Sequence, residues 1–154
     1  MVKKENWEMW EDDVADSLRA HKVKASGRLS LYKADVKSDT MLIDCKLTQK
    51  RSYAVTGKFW EELAMWARNE SREPAIAIRC DTPFIDIAVV REPWYCYVFD
   101  KSTAGVMTKD GISKSIGAAC IDGKDEFVFE VGGYRLVAFP YQQFAWKVLE
   151  IESR

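Results

Sequence analysis

Lys33-Ala34-Asp35, followed after five residues by Met41-Leu42-Ile43-Asp44-Cys45-Lys46-Leu47-Thr48, is the stretch on which the fold turns. The second segment has the length and apolar content of a β-strand, and alternate side chains of a strand share a face. Ile43, Cys45 and Leu47 therefore point one way, as core, while Asp44 and Lys46 project together on the other side. A strand covered on both faces does not carry two adjacent charges without compensation, because unpaired buried charge is strongly destabilising. A divalent cation with a polar substrate is the simplest compensation. A surface ion pair, contributing about 0–1 kcal/mol, is the plain alternative.

Amphipathic helices flank this strand. Residues 6–21 place Trp7, Trp10, Val14, Ala15 and Leu18 at helical spacing, with Glu11 at the edge of that apolar face. Residues 29–32 read as a short strand. A second helix begins near Thr56 or Gly57 and runs to Asn69, with Phe59, Trp60, Leu63, Ala64 and Ala67 on its apolar side and Trp66 off it. Pro74 ends it, and residues 75–80 read as a buried strand. The order α-β-β-α-β, with a helix crossing between two strands, predicts an α/β (α+β) fold with a central mixed sheet flanked by helices. Beyond Asp81 the texture is β-rich. Strands are predicted at 84–90, 94–99, 116–121, 126–131 and 134–139, with Asp122-Gly123 and Gly132-Gly133 as hairpin signals and a last helix over 140–151. The expectation is one domain over residues 1–154, with a core at about 6–80 and a C-terminal extension at about 81–154.

The chain has 154 residues, 47% hydrophobic and 31% charged, a globular composition able to bury a core. No run approaches a membrane span and the first residues lack a signal peptide's apolar stretch, so no membrane association and a cytoplasmic location are expected. Cys45, Cys80, Cys96 and Cys120 lack zinc-knuckle or redox spacing and read as reduced. The net charge of −1 hides a strong asymmetry. From Arg19 to Lys58 there are ten Lys/Arg against three acids, whereas both flanks are acidic. That basic block surrounds Asp44 and suits either a phosphate backbone or a set of solvated lysines.

On these residues the sequence resembles the PD-(D/E)XK nuclease superfamily, and within it the archaeal- and phage-type Holliday-junction resolvases. The matching pieces are Glu11-x-x-Val14-Ala15-x-x-Leu18, Ser26-Gly27, Lys33-Ala34-Asp35, Ile43-Asp44-Cys45-Lys46-x-Thr48, Ser52-Tyr53, Trp60-x-x-Leu63-x-x-x-Ala67 and Pro74-x-Ile76-Ala77-Ile78. Ala34 stands where the superfamily name has Pro. Asp44 stands where resolvases often have Glu, one methylene shorter. The resemblance implies a restriction-endonuclease-like core and hydrolysis of DNA phosphodiesters, leaving 3′-hydroxyl and 5′-phosphate ends. It implies Glu11, Asp35, Asp44 and Lys46 as catalytic residues. Mg²⁺, with Mn²⁺ as a substitute, would be held by Glu11, Asp35, Asp44 and the Cys45 carbonyl, and Lys46 would orient the attacking water. It further implies paired nicks in a four-way junction by a homodimer, in the host cytoplasm if phage-encoded. Lys50 and Arg51 are the best candidates for backbone contacts. Arg28 and Lys33 join them, and Ser26, Ser52 and Tyr53 either bind phosphate or form turns. His21 either caps the first helix or touches phosphate. Two rivals stay open: another nuclease of the superfamily (repair, restriction or flap-cutting) and a catalytically silent DNA-binding module of the same fold.

Overall fold

The structure, a computed structural model, describes residues 5–23, 34–103 and 111–154. The strand expected at 29–32, and with it Ser26, Arg28 and Lys33, lies outside the described residues. Helix α1 (Asn6–Leu18) buries Trp10, Val14, Ala15 and Leu18. It stops short of the predicted 21 because Arg19 takes a left-handed conformation (φ 51°) that turns the chain into β1 (His21–Lys22). Then come β2 (Val36–Lys37), β3 (Met41–Thr48), β4 (Ser52–Thr56) and α2 (Gly57–Asn69). They are followed by β5 (Glu73–Asp81), β6 (Phe84–Arg91), α3 (Glu92–Phe99), β7 (Ser113–Gly117) and α4 (Ala118–Ile121). The chain closes with β8 (Phe127–Val131), β9 (Tyr134–Pro140) and α5 (Tyr141–Glu152).

Among the described residues seven strands form one mixed sheet in the order β1-β2-β3-β5-β6-β9-β8. β3 and β5 are parallel, with α2 crossing between them, and the other neighbours are antiparallel. β4 and β7 pair separately as a small antiparallel ribbon. Residues beyond Asp81 therefore supply three strands of the main sheet rather than a separate layer. Met41 and Ile43 pack with Trp10, Val14, Leu18, Phe144 and Val148 on the α1/α5 face. Leu42 packs with Trp60, Leu63 and Ala67 on the α2 face, together with Val55 and Ile116 of the ribbon. The alternation expected of β3 is present, with Asp44 and Lys46 on the α2 side.

Three expectations for the C-terminal half need correction. Residues 94–99, read as a strand from their aromatic content, form α3. Pro93 lies in its first turn, where its missing N–H costs nothing, and Tyr95 stacks on Phe99 one turn on (4.7 Å). Residues 116–121 split at Gly117 between β7 and α4. Asp122-Gly123 lies between α4 and β8 and joins no hairpin, whereas Gly132-Gly133 does join β8 to β9 with positive φ at both glycines. Trp7, placed by its spacing among the apolar positions of the first helix, is 53% exposed.

The start of α2 is fixed twice. Thr56 accepts the Phe59 N–H at 3.1 Å as a side-chain cap. Gly57 presses against the β8–β9 turn, where a Cβ would meet Gly132 Cα at 2.8 Å and its N at 2.9 Å. Because both neighbours are backbone, Gly57→Ala is expected to cost about 1–3 kcal/mol. The measurement is the urea midpoint, which falls at unchanged slope.

Candidate active site

Asp44 sits at the centre of β3 and is 2% exposed. On one side β3 is covered by β5, with Asp44 opposite Ile76 and Lys46 opposite Ile78. On the other side β2 pairs only with Leu42 and Ile43, so among the described residues no strand covers β3 from Asp44 onward. Asp35 takes that place. Its N–H donates to the Ile43 carbonyl (3.0 Å), and its Oδ2 accepts the Cys45 N–H (2.7 Å). A strand residue presents N–H and C=O to the same side, so the Cys45 carbonyl faces this uncovered edge too.

Helix α1 brings Glu11 to the same edge. Trp10 anchors the helix to the sheet by donating its Nε1–H to the Ala77 carbonyl (3.1 Å). Arg79 stacks 4.1 Å from the Trp10 ring and pairs with Asp86 and Asp13. Glu11, the residue after Trp10, is thereby held where the charge of Asp35 acts on its carboxyl. Asp35 and Asp44 stand in the same relation.

Such crowding shows in the acidities. Burial, and then the charge of Asp35, push Glu11 up to about 7 against the pull of Lys22. Burial and Asp35 push Asp44 up to about 7 against the pull of Lys46. Asp35 is itself raised by burial, although the Cys45 N–H and Lys46 oppose the shift. Burial lowers the basicity of Lys46, but Asp44, Tyr53 and Asp35 together outweigh it, so its pKa is raised. Lys46 Nζ pairs with Asp44 Oδ2 at 3.0 Å, an ion pair that no well-aligned hydrogen bond to that buried oxygen accompanies.

Glu11, Asp35 and Asp44 are all held above the ordinary carboxylate range, and carboxylate oxygens are the donors that a hard divalent cation takes. Among the described residues no group of three or more His, Cys, Asp or Glu side chains is arranged to hold a metal ion. Mg²⁺ in particular is commonly held by one or two carboxylates and completed by water, and the Cys45 carbonyl is a further hard donor here.

Of the predicted contact residues, Lys50 and Arg51 lie in the exposed turn after β3, and Ser52 and Tyr53 open β4. Lys22, counted in the basic block, is engaged by Asp12 (3.0 Å) and, more distantly, by Glu11 (3.9 Å). Sequence reading passed over Phe59, whose ring lies 4.6 Å from Lys46 Nζ. Its place three residues after the Thr56 cap, on the helix that crosses beside β3, was the available signal.

No family model and no curated protein matches the sequence. Among solved structures the chain is similar to Hjc, a Holliday junction resolvase from the archaeal hyperthermophile Archaeoglobus fulgidus. The identity is 22%, over 47% of this chain and 66% of that one, just under two thirds of its length, with a TM-score of 0.39. Among the described residues no helix is long and apolar enough to cross a membrane.

Proposed function

We propose that this protein is a Mg²⁺-dependent DNA endonuclease that resolves four-way junctions by paired nicks. The observation that supports the reading is the buried Asp44, paired with Lys46 at 3.0 Å and set beside Asp35 and Glu11 at an edge of β3 that no described strand covers. A purely structural ion pair has no reason to hold three acids at raised pKa values, an arrangement that costs stability until a cation arrives.

Asp35, Asp44 and the Cys45 carbonyl would hold the ion, with Glu11 completing the site directly or through water. When bound, Mg²⁺ supplies charge for a phosphate oxygen and the leaving oxygen, and acidifies water. Lys46, on the α2 side of the same edge, orients the attacking water by hydrogen bonding and offsets charge that develops on the phosphate. Asp35, bonded to the β3 backbone, fixes the spacing between helix and strand. Lys50 and Arg51 hold the phosphate backbone beyond the site. Two symmetrical nicks need two such sites, which a two-fold homodimer supplies.

The deciding experiment compares a four-way junction, a linear duplex and a flap, each with Mg²⁺ and with EDTA. Paired symmetrical nicks confined to the junction and dependent on metal are expected. Equal cutting of linear duplex removes the resolvase assignment, and no cutting of any DNA removes the nuclease one. Lys50→Ala and Arg51→Ala should each weaken binding and lower the slope of log K against log salt by about 1. An unchanged slope places the residue outside the footprint.

A further inference from the structure

Lys46 is held from two sides. Its ammonium lies 3.0 Å from Asp44 Oδ2 and 4.6 Å from the centroid of the Phe59 ring. The two contacts differ in what happens to them once the site is loaded. Any cation drawn to Asp44 competes with Lys46 for the same carboxylate. A lysine has four rotatable side-chain bonds and a strongly hydrated head, so an ammonium released from Asp44 swings out to water unless something else retains it. The face of an aromatic ring attracts a cation through its quadrupole, and a metal ion on Asp44 leaves that attraction in place.

Phe59 is built to stay where it is. Its backbone N–H is taken by the Thr56 cap (3.1 Å), which fixes it in the first turn of α2. Its ring meets Trp66, two turns further on, edge to face at 6.4 Å and 78°. This contact accounts for Trp66, a large apolar residue off the buried stripe of the helix. The chain Trp66–Phe59–Lys46–Asp44 thus runs from the half-buried flank of α2 to the centre of β3.

We infer that Phe59 is a positioning residue that keeps the Lys46 ammonium over the reacting phosphate when Asp44 is engaged elsewhere, an inference that rests on the nuclease reading. The requirement is for a ring face, not for bulk. The test therefore compares Phe59→Leu, which keeps much of the apolar volume and loses the face, with Phe59→Tyr, which keeps the face. Phe59→Leu should lower the single-turnover rate of junction cleavage by about 5–30-fold with the DNA dissociation constant unchanged, and Phe59→Tyr should restore the rate.

A second readout needs neither DNA nor metal. The Lys46 ¹Hε–¹³Cε signal, assigned by its loss in Lys46→Arg, should lie upfield of those of exposed lysines in the wild type and in Phe59→Tyr. In Phe59→Leu it should move to join them. Full activity of Phe59→Leu, equal loss in Phe59→Tyr, or an unmoved lysine signal overturns the inference. A wild type that cuts no DNA fails the nuclease reading instead, and the lysine signal still decides whether the ring holds the ammonium.

Discussion

Asp44→Asn is expected to lower cleavage by on the order of 10³-fold or more and, at pH 8 without metal, to make the protein more stable than the wild type. The two effects have one cause. Asp44 is 2% exposed and receives no hydrogen bond on Oδ2, and burial together with the charge of Asp35 has driven its pKa up to about 7. At pH 8 the folded protein must therefore carry a charge that its surroundings resist. Asparagine keeps the shape and removes the charge. Lys46 loses its ion-pair partner in the exchange, but its side chain is 28% exposed and it keeps the Phe59 face and the nearby charge of Asp35. The deeper charge decides the sign. A gain of about 1–3 kcal/mol is expected, or roughly 3–10 °C in Tm. Lys46→Ala makes the opposite prediction, since it also abolishes cleavage but leaves Asp44 buried and unpaired, and so destabilises. Thermal unfolding in EDTA, run beside a cleavage assay, checks both. Destabilisation by Asp44→Asn, or retained cutting, would remove Asp44 from the centre of the chemistry.

The parts of the fold that were legible are those where one local rule met no competitor. The second helix runs from Gly57 to Asn69 as expected, because the Thr56 cap, the apolar spacing and the stop before Pro74 all agree. β3 was legible for the same reason. The aromatic run from Trp94 to Phe99 was not, since its side chains favour strands while Pro93 and the chance to stack Tyr95 on Phe99 and Phe139 favour a helix. Packing overrode propensity there. The shared face of Asp44 and Lys46 was legible by strand geometry alone. What strand and helix periods could not give was the edge geometry. The Asp35 carboxylate beside the Cys45 N–H depends on β2 beginning only at Val36. The burial of Lys46 against Phe59 depends on where α2 crosses the sheet.

Stability of the metal-free wild type should fall as pH rises from about 5 to about 8, and Mg²⁺ should reverse the fall only at the upper end. Glu11 and Asp44 have folded-state pKa values near 7, well above those of carboxyls in an unfolded chain. Between those limits the folded protein holds protons that the unfolded chain has released. More protons bound in the native state makes the derivative of unfolding free energy with pH negative, so each step upward costs stability until pH exceeds the folded values. The slope should be on the order of 1 kcal/mol per pH unit for one fully shared proton, less where the carboxyl still reaches water, as Glu11 does. Acids with lowered pKa values, such as Glu92 beside Arg135 and Glu150 beside Lys147, act in the opposite sense. Their stabilisation is lost only as pH falls below the ordinary carboxylate range, which leaves the window from 5 to 8 to the site. A divalent ion takes the place of the protons, so binding is coupled to their release and strengthens with pH. At a hundred times its dissociation constant it should restore about 2.7 kcal/mol. In Asp44→Asn the pH profile should flatten and the response to Mg²⁺ should shrink. The profile requires no DNA and no catalysis, so it tests the charge arrangement on its own. A Tm that ignores both pH and Mg²⁺ across this window would mean that Glu11, Asp35 and Asp44 do not share protons at all.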